Sequence, residues 1–205
     1  MPGLFVEYYC TLSVPKLAFL YNTLMKKDKQ MNNELLKQDY FELFGLTPDY
    51  QIDLNQLQNK LRTLQKQYHP DNFAAEGADV INQALVISSQ INQAYTSLSE
   101  PLARAIYLLQ LHGIVVDLVH GTKFSSEFLM AQIELREQIS EAEDNGDFDA
   151  LEQIEQNLQH ESTIITAKIG ELFTMADYNA ISELVKQLAF YEKLEQLVAN
   201  ILGSM

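Results

Sequence analysis

The chain is poor in cysteine and in positive charge, and it has no long apolar run. Its single cysteine, Cys10, leaves no partner for an intramolecular disulfide. Nor does one thiolate make the ligand sets that structural zinc and iron-sulfur clusters usually require. A reducing cytoplasm is the compartment that fits. Lysine and arginine number 14 against 28 aspartates and glutamates, a net charge of -14. That balance argues against nucleic acid, which is bound by clustered basic side chains that displace counterions. No stretch reaches the roughly 18 to 20 apolar residues needed to span a bilayer, so a membrane role is not expected. Leu12 to Met25 is mildly apolar but is followed by Lys26 and Lys27, the reverse of a secretory signal.

What is present is sufficient for ordinary globular cores: 205 residues, 47% of them hydrophobic. The acid is unevenly placed. Residues 1-30 carry four basic and two acidic side chains, 31-113 five and nine, and 114-205 five and seventeen, giving +2, -4 and -12. Residues 1-30 lack clear amphipathic periodicity and read as an upstream extension, with Met31 as the natural start. A short targeting or docking segment is the alternative, given their basic and aromatic content.

Two helical patterns flank His69-Pro70-Asp71. Before it, Leu54, Leu57, Leu61, Leu64 and Tyr68 recur at spacings of three and four; after it come Val80, Ala84, Ile87, Ile91, Ala94 or Tyr95, and Leu98. Proline removes a donor and biases the preceding residue out of the helical region, so it ends the first helix. Facing apolar stripes joined by a short polar connection make an antiparallel helical hairpin with the tripeptide at its exposed tip. Imidazole beside carboxylate could suggest an acid-base dyad or half a metal site. No nucleophile or second histidine stands at useful spacing, since His112, His120 and His160 lie in unrelated segments. No metal, cofactor or enzymatic activity is therefore expected.

Asp39-Tyr40-Phe41-Glu42-Leu43-Phe44-Gly45-Leu46 supplies a short leading helix, Asp53 to Tyr68 a basic second helix, and Ile91-Asn92-Gln93-Ala94-Tyr95-Thr96-Ser97-Leu98 part of a third. In this frame the tripeptide closely resembles that of a J-domain, the module by which J-protein co-chaperones stimulate ATP hydrolysis by DnaK-type chaperones. The resemblance implies that His69, Pro70 and Asp71 engage the chaperone, with the chemistry done by the partner. It further implies that Lys60, Arg62 and Lys66, on the solvated side of the second helix, meet an acidic chaperone surface and speed encounter. Asn72 stands where that family often has a basic residue.

Pro101 to Leu111 reads as a further helix, with proline in its first turn and Gly113 as its cap. Residues 114-124 have no helical period and form a connector between a 31-113 domain and a 125-205 domain. Helices are expected over about 126-144, 148-174 and 177-202, broken by Asn145-Gly146 and capped by Asp147 and Asp177. Phe148, Leu151, Ile154, Leu158, Ile165, Ile169 and Leu172 give the middle one an apolar face, so the three should pack as an up-down bundle. The fold class is all-α: a J-domain helical hairpin followed by a three-helix bundle.

On the first bundle helix, Phe128, Ala131, Leu135, Ile139 and Ala142 fall on one stripe and should face the core. Leu129, Met130 and Ile133 fall roughly opposite, with Glu134 and Glu137 beside them. An outward apolar cluster rimmed by carboxylates is unexpected in a plain bundle. The run Phe128-Leu129-Met130-Ala131-Gln132-Ile133-Glu134-Leu135-Arg136-Glu137, the Arg104-Ala105-Ile106-Tyr107-Leu108-Leu109-Gln110-Leu111-His112-Gly113 run and the acidic bundle closely resemble HscB-type J-proteins of iron-sulfur cluster assembly.

That resemblance covers about residues 38-202 and implies two partners: an HscA/DnaK-type ATPase and the IscU scaffold on which clusters are built. The scaffold would be gripped by Leu129, Met130, Ile133, Glu134, Glu137 and Phe190. Phe190 lies off the Ile181, Leu184, Leu188 and Leu202 stripe, on a side shared with Leu194, Leu197 and Ile201, and is either a docking or a buried residue. Animal relatives can carry an N-terminal zinc module with paired cysteines, which Cys10 alone does not supply. The rival reading is a J-protein co-chaperone that keeps the ATPase contact but serves a different client.

Overall fold

A computed structural model describes residues 35-118 and 124-204. The 1-30 extension, the Met31 start and the His120 part of the connector lie outside the described residues. The described chain is helical: α1 (Tyr40–Phe44), α2 (Leu54–Tyr68), a 3-10 turn (Pro70–Phe73), α3 (Ala78–Ser99), α4 (Pro101–Leu111), α5 (Ser126–Asn145), α6 (Phe148–Met175) and α7 (Tyr178–Ser204). No strand occurs among the described residues, and no described helix is long and apolar enough to cross a membrane. The described residues form two compact units, one of residues 35-47 and 55-95, the other of residues 48-54, 96-118 and 124-204.

In the first unit, α1 is held by a reciprocal capping box: Glu42 N–H donates to Asp39, and Asp39 N–H donates to the Glu42 carboxylate. Gly45 closes the helix in the left-handed region at φ 64, where a Cβ would be strained. Phe41, Leu43 and Phe44 are buried, as are Leu57, Leu64 and Tyr68 of α2 and Ala84, Ile87, Ile91 and Ala94 of α3. These are the facing stripes of the hairpin. Leu54, the first residue of α2, departs from the expected stripe and is exposed. The Gln65 amide donates to Asn92 Oδ1 across the hairpin at 2.9 Å.

In the second unit, α6 and α7 form the longest packed pair, and α4 and α5 pack against them. Buried positions recur at alternating spacings of three and four: Leu151, Ile154 and Leu158 on α6, Leu194, Val198 and Ile201 on α7, Ile139 and Ala142 on α5. That is the geometry of helices crossing at a shallow angle with interdigitating side chains. The Ser125, Asp147 and Asp177 side chains cap their helices by accepting backbone N–H groups. Two expected core positions are exposed. Phe148 stands at the first residue of α6, beyond the facing layer, and Ala131 yields its place to Gln132.

The bundle unit is larger than residues 125-205. Ala105, Leu108 and Leu109 of α4 are buried, and that helix packs on α7 and α6. Pro48–Leu54 joins the same unit through Tyr50, whose ring stacks on Phe173 at 5.2 Å and lies beneath the Arg104 guanidinium at 5.0 Å. Arg104 is only 7% exposed and donates to the carbonyls of Leu98 and Ser99. Burial lowers its pKa, opposed by Tyr50 and Glu100. Gly170 on α6 makes room for the aromatic ring, since a Cβ there would lie 3.3 Å from Tyr50 Cδ1.

Glu192 on α7 is half-buried, and burial, Glu195 and Glu100, in that order, push its carboxyl up from 4.5 to about 7. In the unfolded chain it ionises first, so this group's contribution is full below about pH 4.5, falls as pH rises to about 7, and is flat beyond. Discounting for partial solvent screening, Glu192→Gln should stabilise the protein by about 1 kcal/mol at pH 8 and by almost nothing at pH 4. Urea unfolding at both pH values measures this. By the same assay Gly170→Leu should cost about 2 kcal/mol through overpacking against Tyr50, and Gly170→Ala much less.

Candidate functional site

Two surfaces gather the residues singled out in the sequence. The first is the hairpin tip. His69, with extended backbone angles of φ -61 and ψ 130, is the N-cap of the 3-10 turn that Pro70 begins. Its Nδ1 accepts the Asp71 N–H at 3.2 Å and lies 3.6 Å from Asp71 Oδ2. A neutral imidazole accepting at Nδ1 carries its proton on Nε2, which leaves that donor directed away from the turn. The side chains are 56% and 89% exposed for His69 and Asp71. Tripeptide geometry is thus fixed from within while its polar groups face solvent.

Asn72 is the part of the tip whose role the sequence did not disclose. Its side-chain amide donates to the Lys66 carbonyl at 2.7 Å, and its N–H donates to the His69 carbonyl at 3.0 Å. The first bond satisfies one of the carbonyls that a helix end leaves unpaired. A lysine or arginine could reach that carbonyl only by folding back, so the departure from the basic pattern has a structural return. Arg62 and Lys66 are exposed, as expected for a solvated face, whereas Lys60 is half-buried.

The second surface lies on α5 and α7. Leu129, Met130 and Ile133 are 48%, 63% and 57% exposed, and Glu134 and Glu137 beside them are exposed too. Outward placement follows from the helix's seam, which runs through Phe128, Gln132, Leu135, Ile139 and Ala142 at alternating spacings of four and three. Phe190 is half-buried, intermediate between the two roles open to it from sequence. Its ring meets Phe128 edge-on at 6.0 Å and is covered by the Arg136 guanidinium at 5.2 Å. Phe128 also contacts Phe124 at 4.7 Å and Tyr191 at 6.2 Å.

Gln132 is 4% exposed, a buried polar residue in the seam. The signal for it was present in the spacing, since position 132 fits between Phe128 and Leu135 as well as Ala131 does. Burial and then Glu161 raise the Tyr191 phenol above its ordinary pKa, opposed by a hydrogen bond from Gln132. Among the described residues, no group of three or more His, Cys, Asp or Glu side chains is arranged to hold a metal ion.

An all-α chain with a J-domain hairpin, a tripeptide displayed at its tip and a helical bundle defines a co-chaperone architecture. The family model described as the HSCB C-terminal oligomerisation domain matches residues 124–199. The Co-chaperone protein HscB homolog of Neisseria meningitidis is 36% identical over 163 residues, 80% of this chain and 98% of that protein. The homolog of the same description from Cupriavidus taiwanensis is 39% identical over 160 residues, 78% and 91% of the two chains. The solved structure of chaperone HscB from Vibrio cholerae superposes with a TM-score of 0.73 at 32% identity, covering 82% of this chain and 99% of that one. The chain belongs to the HscB co-chaperone family.

Removing the Asn72 amide tests the structure of the tip. Asn72→Ala should leave the Lys66 carbonyl unpaired and speed amide hydrogen exchange in the last turn of α2 about five-fold, equivalent to about 1 kcal/mol. Exchange in α6 should be unchanged. Equal protection in Asn72→Ala and the unaltered protein would show that water replaces the side chain without loss.

Proposed function

We propose that the protein is a two-ended adaptor that is not itself an enzyme. Through His69, Pro70 and Asp71, aided by Lys60, Arg62 and Lys66, it stimulates the ATPase of an HscA/DnaK-type chaperone. Through Leu129, Met130, Ile133, Glu134, Glu137 and Phe190 it delivers an IscU-type scaffold, so that the cluster carried by the scaffold is passed on for maturation of iron-sulfur proteins. The observation that carries this reading is the outward exposure of Leu129, Met130 and Ile133, rimmed by carboxylates, in a member of a co-chaperone family. Apolar side chains held in water by the helix register are stabilised when a partner covers them, at roughly 25 cal/mol per Å².

The tip supports the other half. A turn already fixed by the His69 to Asp71 bond loses little conformational freedom on binding, and less free energy is spent on ordering it. Arg62 and Lys66 stand exposed on the helix leading to that turn, where their charge would raise the rate of encounter with an acidic surface. Two binding sites on one chain raise the effective concentration of client beside the ATPase. The setting is a bacterial cytoplasm, and neither nucleic acid nor membrane takes part.

The test is steady-state ATP hydrolysis by the cognate DnaK-type chaperone, with this protein alone and with IscU added. Joint stimulation is expected. His69→Gln should abolish stimulation and leave scaffold binding intact. Leu129→Ala combined with Met130→Ala and Ile133→Ala should weaken scaffold binding about a hundred-fold, roughly 1 kcal/mol per side chain, while preserving stimulation without scaffold. Loss of both activities in both variants would refute the division of labour, and stimulation indifferent to IscU would assign the bundle a different client.

A further inference from the structure

Beside the outward face of α5, a cavity of about 270 Å³ opens between α5, α6 and α7. Gln132, Glu134 and Gln138 line it from α5, Asn157 and Glu161 from α6, and Tyr191 from α7. Two carboxylates face this space, and no lysine, arginine or histidine is among its described lining residues. Gln132 adds a second, independent sign of incompleteness. It is 96% buried, its 4% exposure among the lowest of any polar residue described, and its Oε1 has no hydrogen-bond partner. A buried carbonyl left without a donor costs about 1 to 3 kcal/mol. The unpaired acceptor belongs to a residue that lines the cavity. Asn157 Oδ1 already accepts from the Gln153 amide, and the carboxylates of Glu134 and Glu161, with the Gln132 and Gln138 oxygens, are the other side-chain acceptors of the lining.

We infer that this cavity is a receptor for an arginine side chain of the docked partner, with Glu161 and Glu134 pairing the guanidinium and Gln132 Oε1 accepting one of its N–H groups. Guanidinium offers five donors in a planar fork and is more weakly hydrated than ammonium, which suits several separated acceptors against the Tyr191 ring. Glu134 belongs both to this cavity and to the rim of the apolar face, so a partner covering Leu129, Met130 and Ile133 brings its side chains to the opening. This inference rests on the scaffold-docking reading above and adds to it a point of specificity: the client is recognised by one inserted basic side chain besides its apolar patch.

The probe is N-acetylarginine amide, titrated into the full chain and followed by the NMR resonances of the Gln132 side-chain amide and the Tyr191 backbone, with N-acetylcitrulline amide as the uncharged counterpart. Saturable shifts confined to the cavity are expected with arginine and not with citrulline, at an affinity on the order of millimolar. They should vanish in Glu161→Gln. They should survive in Glu155→Gln, which removes the same charge from α6 at a different cavity lined by Leu102, Glu192 and Lys193. Scaffold affinity, measured by calorimetry, should fall about tenfold in Glu161→Gln, the worth of one charge-assisted hydrogen bond, and stay within twofold in Glu155→Gln. Equal effects of the two variants, or arginine shifts spread over the acidic surface, would overturn the pocket. Failure of IscU to bind the unaltered protein while the arginine shifts persist would instead overturn the docking reading alone.

Discussion

Burying a guanidinium is costly, and much of the bundle unit is arranged around that of Arg104, whose Nη1 finds two acceptors while its buried Nε has none. The charge sits at 7% exposure where α3 gives way to α4, and it takes the carbonyls of Leu98 and Ser99 that the end of α3 would otherwise leave unpaired. Pro101 fixes the start of α4 at that junction. Tyr50 covers the charge with its ring and is itself backed by Phe173 and by the side-chain-free surface of Gly170. Three segments distant in sequence are thereby committed to one arrangement: Pro48–Leu54, the junction of α3 with α4, and the last third of α6. Taking a cation out of water is costly, and two carbonyls and the Tyr50 ring offset part of that cost.

The two functional surfaces obey a different rule. Both are places where side chains are kept from burial by the register of the elements that carry them. The seam of α5 uses Phe128, Gln132, Leu135, Ile139 and Ala142, which turns Leu129, Met130 and Ile133 outward. At the tip, the His69 cap and the Asn72 bond to Lys66 consume the backbone groups of the turn, so the His69 and Asp71 side chains are left to the solvent. Exposure in both cases is a by-product of local satisfaction elsewhere.

Helix positions were legible because their signals are local. Gly146 and Asp147 mark the break between α5 and α6, and the Asp39 to Leu46 run holds the short leading helix. The outward face of α5 was legible from helical spacing alone. Ala131 and Gln132 were not separable, because each lies three or four residues from both Phe128 and Leu135, and packing decides which is buried. The partition of the chain was also hidden. A boundary at Gly113 follows from the helix stop there, but the compact units divide after Tyr95 and place Pro48–Leu54 with the bundle. Nothing local in Tyr50 says that its partners are Arg104 and Phe173. The role of Asn72 was masked likewise, since a departure from a family pattern gives no hint of the hydrogen bond that replaces it.

The seat of Tyr50 also bears on the order in which the protein is made. Tyr50 leaves the ribosome early, whereas Arg104 and then Gly170 and Phe173, which hold its ring, follow much later. Helices α6 and α7 are neighbours in sequence, joined by a two-residue turn, and their pairing closes a short loop as soon as both exist. The Tyr50 contact closes a long one and waits for the bundle. A nascent chain therefore carries the Pro48–Leu54 segment unseated until α6 has been made, and seating it joins residues far apart in the sequence.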